Sequence, residues 1–200
     1  AWFIRDGKPT QIPCLSEVEE LDFPAPLGRL EAAVTSGGLS TAPWTFAGKL
    51  QRLENKTLRY PGHWKTFQAF QQLGLFQQSP VAIKGGKVIP REVFHSLLQP
   101  KISSEQVRDI CVIRVRCEGK IKGQNSAFTL DLCETYDDAT GLTAMEKFTG
   151  WHASMIAILS AQNELPKGAV PIEKALSGAM LMEEAKKRNW DIKSNKLRTV

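Results

Sequence analysis

The sequence predicts an α+β domain in which antiparallel strands form an open sheet and helices cover one of its faces. Two kinds of pattern lead to this prediction. Apolar runs separated by turn residues recur and are typical of β-hairpins, while other segments carry apolar side chains at helical spacing. The 200 residues are 42% hydrophobic and 24% charged, so a core of ordinary size can form.

The first third of the chain reads mainly as extended structure. Residues 1–12 form two short apolar runs around Asp-Gly, a typical hairpin turn. Residues 16–28 are acidic and rich in proline, which favours a surface loop. Apolar and polar residues alternate over 29–35, which predicts a half-buried strand that ends at Ser-Gly-Gly. A second extended segment over 50–60 ends at Pro-Gly and is followed by a helix to residue 73.

The middle of the chain predicts two hairpins with a helix between them. The first hairpin spans residues 80–90 and turns at Gly-Gly. The helix starts at Pro90, and we expect Pro100 to stop it. The second hairpin is longer, with alternating apolar positions in 111–117 and 128–132, and we expect one of its faces to be buried.

The last third predicts two helices and a final strand. Thr143 and Glu146 have the spacing of a capping box, so a helix is expected to begin there. Another helix is predicted over residues 172–189, and a strand over 192–197.

Charge and cysteine content argue against several functional classes. The net charge of +5 comes from 26 basic and 21 acidic residues that are interspersed, so nucleic-acid binding is not expected. No apolar run approaches the roughly 20 residues that a membrane-spanning helix needs, so no membrane partner is expected either. The four cysteines form no Cys-x-x-Cys pair, and no histidine lies at ligand spacing. We therefore expect no metal site. Cys111, Cys117 and Cys133 fall inside apolar strand patterns, so we expect buried, reduced thiols in a cytoplasmic protein.

Few residues carry recognisable chemistry, and the segment 56–63 is the most informative. No Gly-x-Gly-x-x-Gly, Walker or Gly-x-Ser-x-Gly motif occurs. Arg59 and His63 lie where a strand ends and a helix begins. An arginine there can clamp a carboxylate and a histidine can transfer a proton. Alternatively, Arg59 pairs with a surface acid while His63 caps or packs.

Several segments, taken in order over roughly residues 1–190, resemble the saccharopine dehydrogenase and lysine 6-dehydrogenase family. Residues 56–63, Lys-Thr-Leu-Arg-Tyr-Pro-Gly-His, are similar to its K-T-x-R-Y-P-G-H motif. Residues 31–39, 88–100, 143–150 and 168–171 are similar to other segments of that family. Lys147 and the Trp-His pair that follows Gly150 depart from the family pattern, which leaves the substrate open.

The resemblance implies the second domain of a two-domain enzyme, with an open mixed, largely antiparallel sheet like that of glyceraldehyde-3-phosphate dehydrogenase. We expect residues 1–200 to be this one substrate-binding and dimerisation domain, with 185–200 either in it or in a segment returning to the other domain. NAD or NADP would be bound mainly by a Rossmann domain absent from this sequence. The isolated chain is accordingly expected to be inactive.

The resemblance also implies a substrate and a set of site residues. The parent enzyme is expected to oxidise the amine carbon of lysine or of a lysine-derived amine such as saccharopine, and to form a homodimer through the sheet. A dehydrogenase for a polyamine-pathway carboxyamine and a stand-alone, non-catalytic dimerising module are the alternatives. His63 is the candidate for proton transfer. The candidates for substrate binding are Arg59, Tyr60, Thr35, Ser36, Gly37, Thr149 and Gly150.

Overall fold

The structure, a computed structural model, describes residues 1–35 and 37–198. The chain divides into two compact units, Ala1–Ser103 and Ser104–Val200. The single-domain assignment of residues 1–200 stays a prediction.

Three antiparallel sheets form the first unit, with strand orders β2-β1-β5, β3-β4-β6 and β7-β8. The described strands are β1 (Trp2–Arg5), β2 (Lys8–Gln11), β3 (Glu19–Asp22), β4 (Arg29–Val34), β5 (Arg52–Leu53), β6 (Lys56–Arg59), β7 (Val81–Ile83) and β8 (Gly86–Val88). The described helices are α1 (Ala42–Thr45), α2 (His63–Gln72) and α3 (Pro90–Ile102).

In the second unit a sheet of order β11-β10-β9 is accompanied by helices. Its described strands are β9 (Ile110–Ile121), β10 (Gln124–Thr135) and β11 (Lys193–Arg198). Its described helices are α4 (Ala144–Glu146), a π-helical turn (Lys147–Trp151), α5 (His152–Ala161), α6 (Ile172–Ala175) and α7 (Gly178–Lys187). None of the helices in the described ranges is long and apolar enough to cross a membrane.

The α+β class is confirmed, and every strand pair within the described residues is antiparallel. The three predicted hairpins are all present. In the first, Asp6 and Gly7 have φ values of 50° and 76°, the pair of positive values that a tight two-residue turn requires. The strands lie in four separate sheets, because turns and helices interrupt the chain between the hairpins.

Strand β4 lies at the centre of its sheet and supplies much of the first unit's core. Leu30, Ala32 and Val34 are buried, as the alternation predicts, and Ala33 is also fully buried on the other face. The indole of Trp64, on α2, is only 3% exposed and donates a hydrogen bond to the carbonyl oxygen of Glu31. This contact fixes the first turn of α2 against β4.

The predicted loop over residues 16–28 is wrong in part, because it contains strand β3. The acidic residues that suggested a loop make ion pairs with basic residues of the neighbouring strands. Glu20 and Asp22 bind Arg29 of β4, and Glu19 binds Lys56 of β6. An acidic edge strand is therefore held by charge pairs as well as by its backbone hydrogen bonds.

The predicted end of α3 is also wrong, because the helix continues through Pro100 to Ile102. Proline adopts a helical φ, but it lacks a backbone N–H and its ring crowds the carbonyl four residues earlier; this helix tolerates Pro100 two residues before its end. Ser103 completes the helix by donating its backbone N–H to the carbonyl of Gln99.

The helix predicted over 172–189 is two helices. Leu176 is extended, and the Ser177 side chain accepts a hydrogen bond from the backbone N–H of Met180, which starts α7 as an N-cap. Serine is a strong cap, so the chain restarts the helix here instead of continuing it.

The long hairpin of β9 and β10 does not have the buried face that its alternation predicts. Ile113, Val115 and Phe128 share one face by register and are 44%, 46% and 38% exposed. The helices of the second unit cover this face near its end, where Lys147 makes a buried ion pair with Glu134. The apolar side chains further along β9 and β10 stay accessible. The expected burial of the cysteines in this hairpin is also wrong, because Cys117 and Cys133 are exposed and Cys111 is only half-buried.

Candidate functional site

The sheet β3-β4-β6 gathers several predicted site residues on one face. Glu31 lies directly opposite Arg59, and Ala33 lies opposite Thr57. Because side chains alternate along a strand, Thr35 continues the same face. The hydroxyl oxygens of Thr35 and Thr57 are 2.7 Å apart and share a hydrogen bond. The face therefore carries a hydroxyl pair beside a charged residue from each strand.

Arg59 is exposed at the end of β6. Its guanidinium donates from Nη1 to the carbonyl oxygen of Leu58 at 2.7 Å. Among the side chains that the structure describes, no carboxylate forms an ion pair with it, unlike Arg29 on the same face, which binds Glu20 and Asp22. The remaining donors of Arg59 are therefore available to an anionic ligand.

His63 is the first residue of α2 and follows Gly62, whose φ of 91° favours glycine. The imidazole stacks on Phe67 with ring centres 4.4 Å apart and meets the Trp64 ring edge-on at 4.8 Å. Burial and the charge of Arg59 lower the pKa of His63, whereas Glu31 acts in the opposite direction. The imidazole is therefore mainly neutral near pH 7 and able to accept a proton.

Glu31 is a residue at this site that sequence reasoning did not single out. Its Oε2 accepts a hydrogen bond from the backbone N–H of Gly62 at 3.2 Å, and its carbonyl oxygen accepts from the Trp64 indole at 2.9 Å. One residue of β4 thus holds the turn between Arg59 and His63. No sequence signal indicated this, because strand register is not visible before the strands are paired.

The first residues of the 56–63 segment support the structure. The Lys56 side chain is 8% exposed and binds Glu19 at 2.8 Å, with Glu17 at 3.8 Å. Thr57 binds Thr35. The segment therefore begins with residues that fix β6 and ends with residues that can meet a ligand.

The other candidates from the first unit have varied surroundings. Tyr60 is 56% exposed beside Arg59, and Gly37 has a φ of 75° in the turn after β4. Ser36 lies outside the described residues. Thr35 is half-buried by its contact with Thr57. The structure thus brings Thr35, Arg59 and His63 onto one sheet and its adjoining helix.

Thr149 and Gly150 belong to the second unit. The capping box of Thr143 and Glu146 is confirmed, so the helix starts at Ala144 and not at Thr149. Thr149 and Gly150 are exposed in the π-helical turn that follows. In that turn Lys147 is buried against Glu134 and lies 5.8 Å from the ring centre of Trp151.

An open cavity of about 560 Å³ lies against α2 and α3. Phe67, which stacks on His63, forms part of its wall together with Phe94, Leu98 and Ile102. The wall is mainly apolar, so aliphatic groups would suit it. In the described part of the chain, no three histidine, cysteine, aspartate or glutamate side chains come together as a metal site would need.

Comparison with known proteins gives two findings. A family model described as the saccharopine dehydrogenase C-terminal domain matches residues 1–189. The fold is similar to that of apo histidine-tagged saccharopine dehydrogenase (L-Glu forming) from Saccharomyces cerevisiae, with a TM-score of 0.68 and 13% identity. The match covers 98% of this chain and 58% of that chain, so this chain spans little more than half of that protein. At this identity the likeness establishes the fold alone.

Proposed function

The chain belongs to the saccharopine dehydrogenase C-terminal domain family, and from that premise we propose that it is the substrate-binding and dimerisation domain of an NAD- or NADP-dependent amino-acid dehydrogenase. The proposed reaction is oxidation at the amine carbon of lysine or of a lysine-derived secondary amine such as saccharopine. We further propose that the enzyme acts in the cytoplasm.

The observation that carries this proposal is the exposed guanidinium of Arg59 near the imidazole of His63, whose pKa is lowered by burial and by the charge of Arg59. Amino-acid substrates carry a carboxylate, which an arginine binds through charge-assisted hydrogen bonds. Oxidation of an amine also releases a proton, which a neutral imidazole can accept. We assign Arg59 to carboxylate binding and His63 to proton transfer, and we propose that Tyr60, Thr35, Ser36 and Gly37 also bind the substrate.

The part of the chain that the structure describes lacks the features of a dinucleotide fold. A dinucleotide fold needs parallel strands and a glycine-rich turn into a helix, whereas the strand pairs described here are all antiparallel. We propose that NAD or NADP is bound mainly by a Rossmann domain outside this sequence. The chain by itself would then not catalyse the reaction.

The exposed apolar face of β9 and β10 supports the proposed homodimer. Ile113, Val115 and Phe128 lie together on it, and burying such a face against a second copy is favourable. The same face favours the alternative of a stand-alone dimerising module without catalysis. Catalytic activity separates the two functions.

The test is a hydride-transfer assay, followed by nicotinamide absorbance, on the full-length parent protein with lysine and with saccharopine. Turnover of either substrate supports the dehydrogenase. Turnover of neither would contradict the proposed substrates and would leave two alternatives, the dehydrogenase for a polyamine-pathway carboxyamine and the non-catalytic module.

Within that assay Arg59→Ala should raise KM by about 10- to 100-fold, because hydrogen bonds to charged groups contribute about 1.5–3 kcal/mol. Arg29→Ala is the matched control, an exposed arginine on the same sheet face that already binds Glu20 and Asp22. A KM for Arg59→Ala equal to that of the control would remove Arg59 from the site.

A further inference from the structure

Glu31 and Arg59 form an unusual pair on the sheet β3-β4-β6. They lie directly opposite each other on antiparallel strands, where side chains start only about 4.5–5.5 Å apart. Opposite charges in this position commonly bind each other. Here no ion pair joins the two, and each charged group is held elsewhere.

The structure shows what holds the charges apart. The Glu31 carboxylate accepts the backbone N–H of Gly62 through Oε2, which leaves Oε1 without a hydrogen bond among the described residues. The Arg59 guanidinium turns to the carbonyl of Leu58 through Nη1. The negative group of Glu31, which is half-buried, and the positive group of Arg59, which is exposed, therefore lie on neighbouring strands without binding each other.

A third observation places both charges near His63. The pKa of its imidazole responds to Arg59 and to Glu31 in opposite directions. The two charged groups and the candidate proton acceptor thus belong to one cluster at the junction of β4, β6 and α2.

We propose that Glu31 is a substrate-binding residue that receives the α-ammonium group of an amino acid while Arg59 binds its α-carboxylate. A ligand with both charges on adjacent carbons satisfies both side chains at once, whereas a simple carboxylic acid offers no positive group to Glu31, whose carboxylate then accepts only the N–H of Gly62 among the described residues. The inference rests on the proposed function and adds the recognition of a zwitterion to it.

Two probe ligands test the idea. L-Lysine carries the α-ammonium, and 6-aminohexanoate is the same molecule without it. Their dissociation constants for the chain are measured by NMR-detected titration. The wild type should bind L-lysine about tenfold more tightly, the size expected of a charge-assisted contact. Equal affinity for the two probes overturns the proposal without any substitution.

The variant Glu31→Gln sharpens the test, since its amide oxygen can still accept the Gly62 N–H. We expect it to lose the preference for L-lysine and to bind 6-aminohexanoate as the wild type does. Asp22→Asn is the control, an acid on the same face that binds Arg29 and does not lie opposite Glu31. If Glu31→Gln weakens the binding of both probes equally, Glu31 acts only through the fold and the proposal is wrong. If Glu31→Gln leaves the affinity for both probes unchanged, the proposal is wrong as well.

Arg59→Gln separates this inference from the proposed function. It should weaken both probes, because both carry the carboxylate. Suppose that Arg59→Gln weakens the binding of both probes while Glu31→Gln still prefers L-lysine to 6-aminohexanoate. In that case only the role of Glu31 is wrong. If the wild type binds neither probe, or if Arg59→Gln changes neither affinity, the assignment of Arg59 fails and this inference fails with it.

Discussion

At the scale of single residues, two opposing charges act on the pKa of the His63 imidazole. Burial and Arg59 lower the pKa of His63, and Glu31 raises it. Removing the positive charge should therefore raise that pKa, because the protonated imidazole loses an unfavourable neighbour. The arrangement makes the protonation of His63 depend on what is bound at Arg59.

The corresponding prediction concerns Arg59→Gln. We expect the pKa of His63 to rise in this variant, followed by the ring proton shifts of His63 in an NMR pH titration. Arg29→Gln, on the same face but paired with acids, should leave the titration of His63 unchanged. A pKa that stays the same in Arg59→Gln would mean that the two groups do not interact in solution.

The sequence predicted Arg59 and His63 because they are close along the chain, at a strand end that leads into a helix. Glu31 could not be found in the same way. It lies 31 residues before Gly62, and only the pairing of β4 with β6 brings it to the turn. Local patterns identify residue types, whereas cross-strand neighbours depend on a register that sequence alone leaves open.

At the scale of elements, the start of α4 shows a cap that is partly local and partly distant. Thr143 and Glu146 form the predicted capping box. In addition, the carboxylate of Asp109, just before β9, accepts the backbone N–H groups of Ala144 at 2.7 Å and Met145 at 2.9 Å. The sequence predicted the local cap and missed Asp109, because that contact joins residues 35 positions apart.

We expect Asp109→Ala to destabilise the protein by about 1 kcal/mol, the usual cost of losing a helix cap. Burial tends to raise the pKa of Asp109, but the two N–H groups lower it overall. The cap is therefore complete above the pKa of an unfolded aspartate and is lost as the pH falls through the lower folded value.

The free energy of unfolding, obtained from urea denaturation at several pH values, checks this prediction. The difference between wild type and Asp109→Ala should shrink in acid. Asp138→Ala is the control, since its exposed pair with Arg108 contributes little. A pH-independent difference would show that the charge of Asp109 does not act on the helix.

At the scale of the whole molecule, the α+β class and the hairpins followed from the sequence, while the environment of the long hairpin did not. Alternation over β9 and β10 shows which side chains share a face. It cannot show whether that face is covered by the same chain or by another copy, because both give the same apolar pattern. Ile113 and Val115 are nearly half exposed in the single chain.

The proposed dimer leads to a matched pair of substitutions in β10. Phe128→Glu puts a charge on the apolar face and should shift the protein from dimer to monomer in sedimentation experiments. Thr129→Glu puts the same charge on the opposite face, and we expect it to leave the dimer intact. If neither variant dissociates the dimer, the contact between the two copies lies elsewhere.

The register of the long hairpin also gives the molecule a built-in chemical reporter. Cys117 lies opposite Phe128 on the apolar face, and Cys14 is exposed in the first unit. When two copies associate through that face, iodoacetamide should alkylate Cys14 at an unchanged rate and Cys117 only slowly. Dilution below the dissociation constant of the dimer would restore the reactivity of Cys117, so the extent of alkylation would reveal the assembly state without any substitution.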